Sequence, residues 1–177
     1  MTNAAPTPGK LIVMMGAPGA GKTTWRARQS GVQVVCLDEL RARFSECGCE
    51  GNQIVTALAV GLAKGSTRFT LSRGETVLWD ATSARREHRD ELRALAAEYG
   101  ASTELVVFHP PKDIVLARNA RRSATPCVTC GYPRAVPEEI VRSMYAEIAE
   151  ALPGLPGEGW GSVRWPELST GKLDKPN

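Results

Sequence analysis

No stretch of this 177-residue chain approaches eighteen consecutive apolar residues, and its opening MTNAAPTPGKLIVMM lacks the charged start and long apolar run of a secretory leader. Neither a membrane helix nor a leader is expected, and a soluble cytoplasmic protein is. Charge of one sign is also scarce. The net charge is only +3, too little for bulk electrostatics to announce a nucleic-acid binder. No internal repeat and no second domain is visible. A fully paired disulfide framework is excluded too, since the cysteines number five and a domain of this length buries a core without covalent staples. In a reducing compartment those thiols are expected as metal ligands, catalytic groups or small buried hydrophobes.

What is present alternates. KLIVMM (10–15), VQVVCL (32–37), TVLWDAT (76–82) and TELVVFH (103–109) are short apolar runs with the look of buried parallel strands. Between them, helices are predicted over 23–29, 38–44, 53–73, 83–100, 111–122 and 137–152. In the third of these, Ile54, Leu58, Leu62 and Phe69 recur at roughly helical intervals. The expected fold is α/β, a mostly parallel sheet of four to five strands with helices on both faces. Residues 1–9 read as a loose tail, and 10–153 as the folded domain. The Gly- and Pro-rich segment 154–177 carries Trp160 and Trp165, poor linker residues that predict docking on the body.

Sixteen of the 22 basic residues are arginine. GC-rich coding would enrich arginine along with Ala, Gly and Pro, so position has to pick out the arginines with a role. GAPGAGKT, Gly16 to Thr23, matches the phosphate-binding loop G-x-x-x-x-G-K-[ST] between a strand and a helix. Gly16, Gly19 and Gly21 let backbone amides turn toward phosphates, Lys22 reaches the β and γ phosphates, and Thr23 offers a hydroxyl to Mg²⁺, with Thr24 beside it. The plain alternative is a strand-helix turn that binds nothing. Asp38 and Arg41 in CLDELR share one face at a helix start, where Asp38 could serve as an N-cap or as a proton acceptor steadied by Arg41. Asp80 closes the third strand at the same sheet edge, followed by Thr82, a possible phosphate donor. A capping role for Asp80 is the alternative, one that Ser83 could fill equally well. Arg118, Arg121 and Arg122 fall at i, i+3 and i+4, as lid arginines over a transferring phosphoryl group or as a solvated helix face.

GAPGAGKTTW, the D-x-x-R at 38 and 41, LWDAT, and RNARR followed by AVPEEIVRSMYAEI resemble, in order and spacing, the kinase domain of the phage-type 5′-polynucleotide kinases. The resemblance covers about residues 10–153. It implies a P-loop kinase fold with a helical lid over 111–136. It also implies ATP and Mg²⁺ as donor and cofactor, and transfer of the γ-phosphate to the 5′-OH end of DNA or RNA, as in nucleic-acid repair. By the same resemblance Lys22 and Thr23 hold phosphate and metal, Asp38 is the general base, Arg41 engages Asp38 and the phosphate, Asp80 orders the substrate site, and Arg118 and Arg122 are lid arginines. Leu37 and Ala81 stand where some relatives carry a basic and a hydroxyl residue. A kinase of the same fold acting on a nucleoside, a sugar or a modified base in DNA is the alternative, and a catalytically silent nucleotide-binding module is another.

CVTCGYPR, with Cys127 and Cys130, is inserted between RNARR and AVPEEI relative to that family. Cys47 and Cys49 in SECGCEGN lie in another loop expected on the same sheet edge. Two glycine-flanked pairs suggest one structural Zn²⁺ held by four thiolates, with a redox dithiol or unrelated thiols as alternatives. Cys36, inside a strand, is expected as packing. For Arg85, Arg86, Arg89 and Arg93, tracking a nucleic-acid backbone and solvating a helix are both open.

Overall fold

The computed structural model describes residues 8–122 and 124–167. Residues 1–7 of the predicted tail, and 168–177 of the terminal segment, lie outside the described residues. Five parallel strands, β1 (Lys10–Gly16), β2 (Gln33–Cys36), β3 (Thr76–Asp80), β4 (Ser102–Phe108) and β5 (Ser162–Arg164), form one sheet in the order β2-β3-β1-β4-β5. Around them run α1 (Lys22–Arg26), α2 (Leu37–Phe44), α3 (Thr56–Ser72), α4 (Arg86–Ala97), α5 (Lys112–Ala120) and α6 (Glu138–Ala151).

Strand alternation divides the core. Leu11, Val13 and Met15 of β1 join Ala63, Leu71, Leu92, Leu95, Val115, Val141 and Ile148 on one face, whereas Ile12 and Met14 pack with Leu78, Val106, Phe108 and Trp25 on the other. Right-handed crossovers explain the asymmetry. The step from β1 to β2 runs opposite to all later steps, so α1 covers one face while α3 to α6 crowd the other. Each fully buried Leu or Met in these layers contributes about 1.5–3 kcal/mol.

Periodicity located α3 but not its buried side. Ile54, Leu58, Leu62 and Phe69 are exposed, and Ala59, Ala63, Thr67, Thr70 and Leu71 are buried. Only small side chains allow this helix to lie close against the sheet and its neighbours. The helix also starts later than predicted, because the Asn52 side chain accepts from the Ile54 amide at 3.0 Å and holds the preceding residues in a turn.

The described part of the terminal segment, 154–167, docks through a different set of contacts than its two tryptophans alone. Leu155 and Trp160 are buried while Trp165 is half exposed, and β5 pairs with Glu104 to Val106 of β4. Glu158 binds Arg89 of α4 through two hydrogen bonds, the Nε contact being 2.9 Å, and accepts from the Trp160 indole at 3.0 Å. Arg89 also donates to the carbonyls of Ser83 and Ala84. Of the four arginines left open by the sequence, Arg89 is 1% exposed. It therefore neither tracks a strand nor meets water; it pins the C-terminal segment to the domain. Arg93 pairs with Asp90 at 2.6 Å and lies over the Trp160 ring.

Candidate functional site

The carboxyl ends of β1, β3 and β4 reach one edge, where open parallel sheets bind ligands. The turn from β1 into α1 is confined on two sides. A Cβ at Gly16 would lie 2.8 Å from the Phe108 Cβ, and one at Gly19 would lie 2.6 Å from the Val115 carbonyl oxygen of α5. Gly19 and Gly21 have φ of +91° and +101°, conformations that side chains resist. The loop is thus wedged against β4 and α5. Its other anchor is the Gly16 amide, which donates to the Thr82 carbonyl at 3.0 Å.

The Lys22 ammonium donates to the carbonyls of Gly16 (2.5 Å) and Ala17 (3.2 Å). Burial lowers its pKa to about 8, against the opposing charges of Asp80 and Asp38 and with the help of Arg122. One ammonium therefore feels three of the residues picked out in the sequence. Thr23 and Thr24 are exposed at the start of α1. The Thr23 hydroxyl and the Asp80 carboxylate are hard oxygen donors of the kind Mg²⁺ takes.

Asp38 does not cap α2. The helix begins at Leu37 with Cys36 in the N-cap position and no side-chain cap, so Asp38 lies in the first turn and its carboxylate is free to bind Arg41 instead. Arg41 donates from Nε to the Glu50 carbonyl at 2.9 Å. Asp80, register partner of Cys36 in β2, is buried and accepts from Arg26 Nη1 at 2.8 Å. Arg26 also reaches Glu39 at 2.7 Å. Burial raises the Asp80 pKa, with the positive charges of Lys22 and Arg26 opposing and Asp38 adding to the rise. Ser83 does not cap α4 either. It has φ of +45° and a buried hydroxyl without a partner among the described residues, and Arg85 takes the N-cap position.

Helix α5 stops two residues short of the prediction, at Ala120. Asn119 is the reason: its side chain donates to the Val136 carbonyl at 2.7 Å and accepts from the Val136 amide at 3.3 Å, drawing together the two ends of the loop between α5 and α6. Arg118 stays on α5, and Arg121 and Arg122 continue into a turn closed from the Arg122 amide to Asn119. None of these three arginines is ion-paired among the described residues.

The family model for the AAA domain matches residues 11–151 of the chain, from β1 to the end of α6. The chain belongs to the AAA domain family. Among solved structures, a chain of the Pnkp1/Rnl/Hen1 RNA repair complex is 20% identical with a TM-score of 0.67, over 86% of this AAA-domain chain and 48% of that one. A protein of Chloroflexus aurantiacus named as a kinase is 20% identical with a TM-score of 0.58, over 77% and 80% of the two chains. The AvrRxo1-ORF1:AvrRxo1-ORF2 structure gives 16% identity and a TM-score of 0.62, over 88% and 51%. These likenesses carry the P-loop kinase fold. The AAA-domain chain spans about half the length of the RNA-repair chain it matches. No helix among its described residues is long and apolar enough to cross a membrane.

The AAA-domain chain brings its four loop cysteines together. The Sγ atoms of Cys47, Cys49, Cys127 and Cys130 all lie within 4.8 Å of one another, and none is in a disulfide. A tetrahedron of sulfurs each ~2.3 Å from a zinc ion has edges of ~3.8 Å, so a small contraction seats the ion. Amides turn toward the sulfurs as well: those of Cys130 and Thr129 lower the Cys127 pKa to about 6. Cys36 is buried away from this group, its pKa pushed up to about 11 by burial and by Asp80.

Arg26, Asn119 and the Glu50 carbonyl are the parts of the site that the sequence reading missed. A signal for Arg26 was available, since it follows Lys22 by four on α1 and so shares its face. Asn119 and Glu50 act through distant backbone groups that no local pattern encodes.

Proposed function

We propose that this AAA-domain protein is an ATP-dependent kinase that phosphorylates the 5′-hydroxyl end of a DNA or RNA strand. The observation that carries the reading is the meeting of Lys22, the Asp38–Arg41 pair, Asp80 and Arg122 at one sheet edge, with Asp80, Asp38 and Arg122 all acting electrostatically on Lys22. Cation, carboxylate base and lid arginine are the parts that phosphoryl transfer needs.

In this reading the loop from Gly16 through Gly19 and Gly21 to Thr24 cradles the phosphates of ATP, and Lys22 stabilises the β and γ oxygens. The Thr23 hydroxyl would hold Mg²⁺, which would supply further neutralising charge. Asp38 accepts the proton of the 5′-hydroxyl as its oxygen bonds to the γ-phosphorus and the bond to the β–γ bridging oxygen breaks, releasing ADP. Arg41 orients Asp38 and binds the transferring phosphate. Asp80, held by Arg26, and Thr82 order the acceptor side, while Arg118 and Arg122 close over the phosphoryl group. Cys47, Cys49, Cys127 and Cys130 hold one structural Zn²⁺.

A polynucleotide acceptor is supported by the RNARR and AVPEEIVRSMY segments, which flank the cysteine insertion, and by the fold shared with a chain of an RNA repair complex. The modest net charge of +3 favours the second reading, a small-molecule acceptor. Labelled ATP offered in parallel to a 5′-OH oligonucleotide, a 5′-phosphorylated control and free nucleosides tests the two. Label is expected on the 5′-OH oligonucleotide alone, and label on nucleosides with none on the oligonucleotide overturns the reading.

A further inference from the structure

Helix α2 carries Asp38 and Arg41; it has no fully buried residue and no side-chain cap, and it meets the core through the half-buried Leu37 and Leu40. A helix of eight residues is marginal by its own propensity, so something outside it must set where the pair points. Leu37 and Leu40 seat the helix on the core, and the loop that follows holds the guanidinium of Arg41. Arg41 Nε donates to the Glu50 carbonyl at 2.9 Å while its Nη2 binds Asp38, so both sides of the guanidinium are held.

Glu50 directly follows Cys49 and is tied to the lid loop by more than the sulfurs. Its carboxylate lies 3.6 Å from Arg134 Nε, and a Cβ at Gly51 would sit 3.0 Å from the Pro133 carbonyl oxygen and 3.3 Å from the Tyr132 Cβ. The Glu50–Arg134 pair is solvent-exposed and worth little by itself. The four sulfurs are the part of this joint able to make it rigid.

We infer that the four-cysteine centre, once it binds Zn²⁺, is a positioning device for catalysis as well as a structural staple. Metal on Cys47, Cys49, Cys127 and Cys130 fixes the Glu50 carbonyl, the carbonyl fixes Arg41, and Arg41 fixes Asp38. The same ion anchors the lid loop that continues from Arg118 and Arg122 to Asn119's partner Val136. One metal centre thereby sets the base and the lid arginines relative to each other. Glu50 is a positioning residue acting through its backbone, and the inference rests on the assignment of Asp38 as base.

The test uses the full chain. Elemental analysis is expected to find about one zinc per chain, and the Arg41 Nε–H resonance, assigned by its loss in Arg41→Lys, is expected to exchange slowly with water. Stripping the ion with a chelator should abolish that protection and lower kcat on a 5′-OH oligonucleotide about a hundredfold. ATP affinity should stay within about twofold, and added Zn²⁺ should restore both signals. Gly51→Val, which keeps all four ligands but crowds Pro133, should retain zinc and ATP binding yet lose the Arg41 protection and kcat. This variant decides the matter if the stripped chain unfolds. Absence of zinc overturns the inference, as does a Gly51→Val or metal-free protein that is folded and keeps both the Arg41 protection and its kcat. The resonance is read without any acceptor, so a chain that phosphorylates no oligonucleotide would refute the polynucleotide-kinase reading while still reporting on the joint.

Discussion

Replacing Lys22 by Met should remove phosphate binding and, at neutral pH, relieve the protein of a destabilising charge. Burial brings the Lys22 pKa down from 10.5 to about 8. At about 1.36 kcal/mol per pKa unit, holding this ammonium charged in the fold costs about 3 kcal/mol. The sign follows from proton counting. Below pH 8 both folded and unfolded chains carry the proton and the whole cost is present. Between pH 8 and 10.5 the unfolded chain binds more protons, so wild-type stability rises with pH. Urea unfolding of wild type and Lys22→Met from pH 7 to 10.5 measures this directly, because cysteine and tyrosine titrations common to both proteins cancel in the difference. The stability difference should swing in favour of wild type by about 3 kcal/mol across that range. Bound triphosphate should restore the charge, so ATP binding near pH 8.5 should take up protons from buffer in calorimetry. A difference that stays flat with pH would refute the claim that Lys22 is held in the loop at the expense of stability.

Asp38→Ala should reduce kcat by about 10²–10⁴-fold with ATP affinity nearly unchanged, checked by single-turnover transfer and equilibrium titration. Glu158→Ala leaves the Arg89 charge buried and unpaired, and should cost about 3–5 kcal/mol in denaturant unfolding. The Glu158 carboxyl also predicts acid sensitivity: burial alone would raise its pKa, but hydrogen bonds from Arg89 and Trp160 prevail and lower it below 4.5. Its stabilisation is therefore present above pH 4.5 and lost as pH falls through the folded value, visible as wild-type unfolding that converges on Glu158→Ala in acid. Gly19→Ala combines a φ of +91° with a 2.6 Å approach to the Val115 carbonyl oxygen, and should displace α5 and weaken ATP binding at least tenfold, read by nucleotide titration.

The order of strands and helices was legible because each strand is a short apolar run bounded by turn residues and each crossover has only one favourable hand. The phosphate loop was legible for a related reason, its glycines meeting a backbone requirement that is local to the segment. Helix α3 marks the limit. Ile54, Leu58, Leu62 and Phe69 announced a helix, but the sheet accepted the side bearing Ala59, Ala63 and Thr67. Periodicity reports that a helix has faces, and packing distance decides which face goes in. The end of α5 shows the same division, since RNARR reads as continuing helix until Asn119 finds Val136.

By itself the sequence determined the P-loop, the alternating α/β order, the adjacency of Asp38 to Arg41 and the existence of two cysteine pairs, all of which depend on residues within a turn or two of one another. Tertiary structure alone decided that Arg26 holds Asp80, that Arg89 is buried against Glu158, and that Cys47 and Cys49 meet Cys127 and Cys130. Those contacts join residues far apart in the chain. Their geometry follows from how the sheet orders its strands and from which groups are left needing a partner once the core has closed.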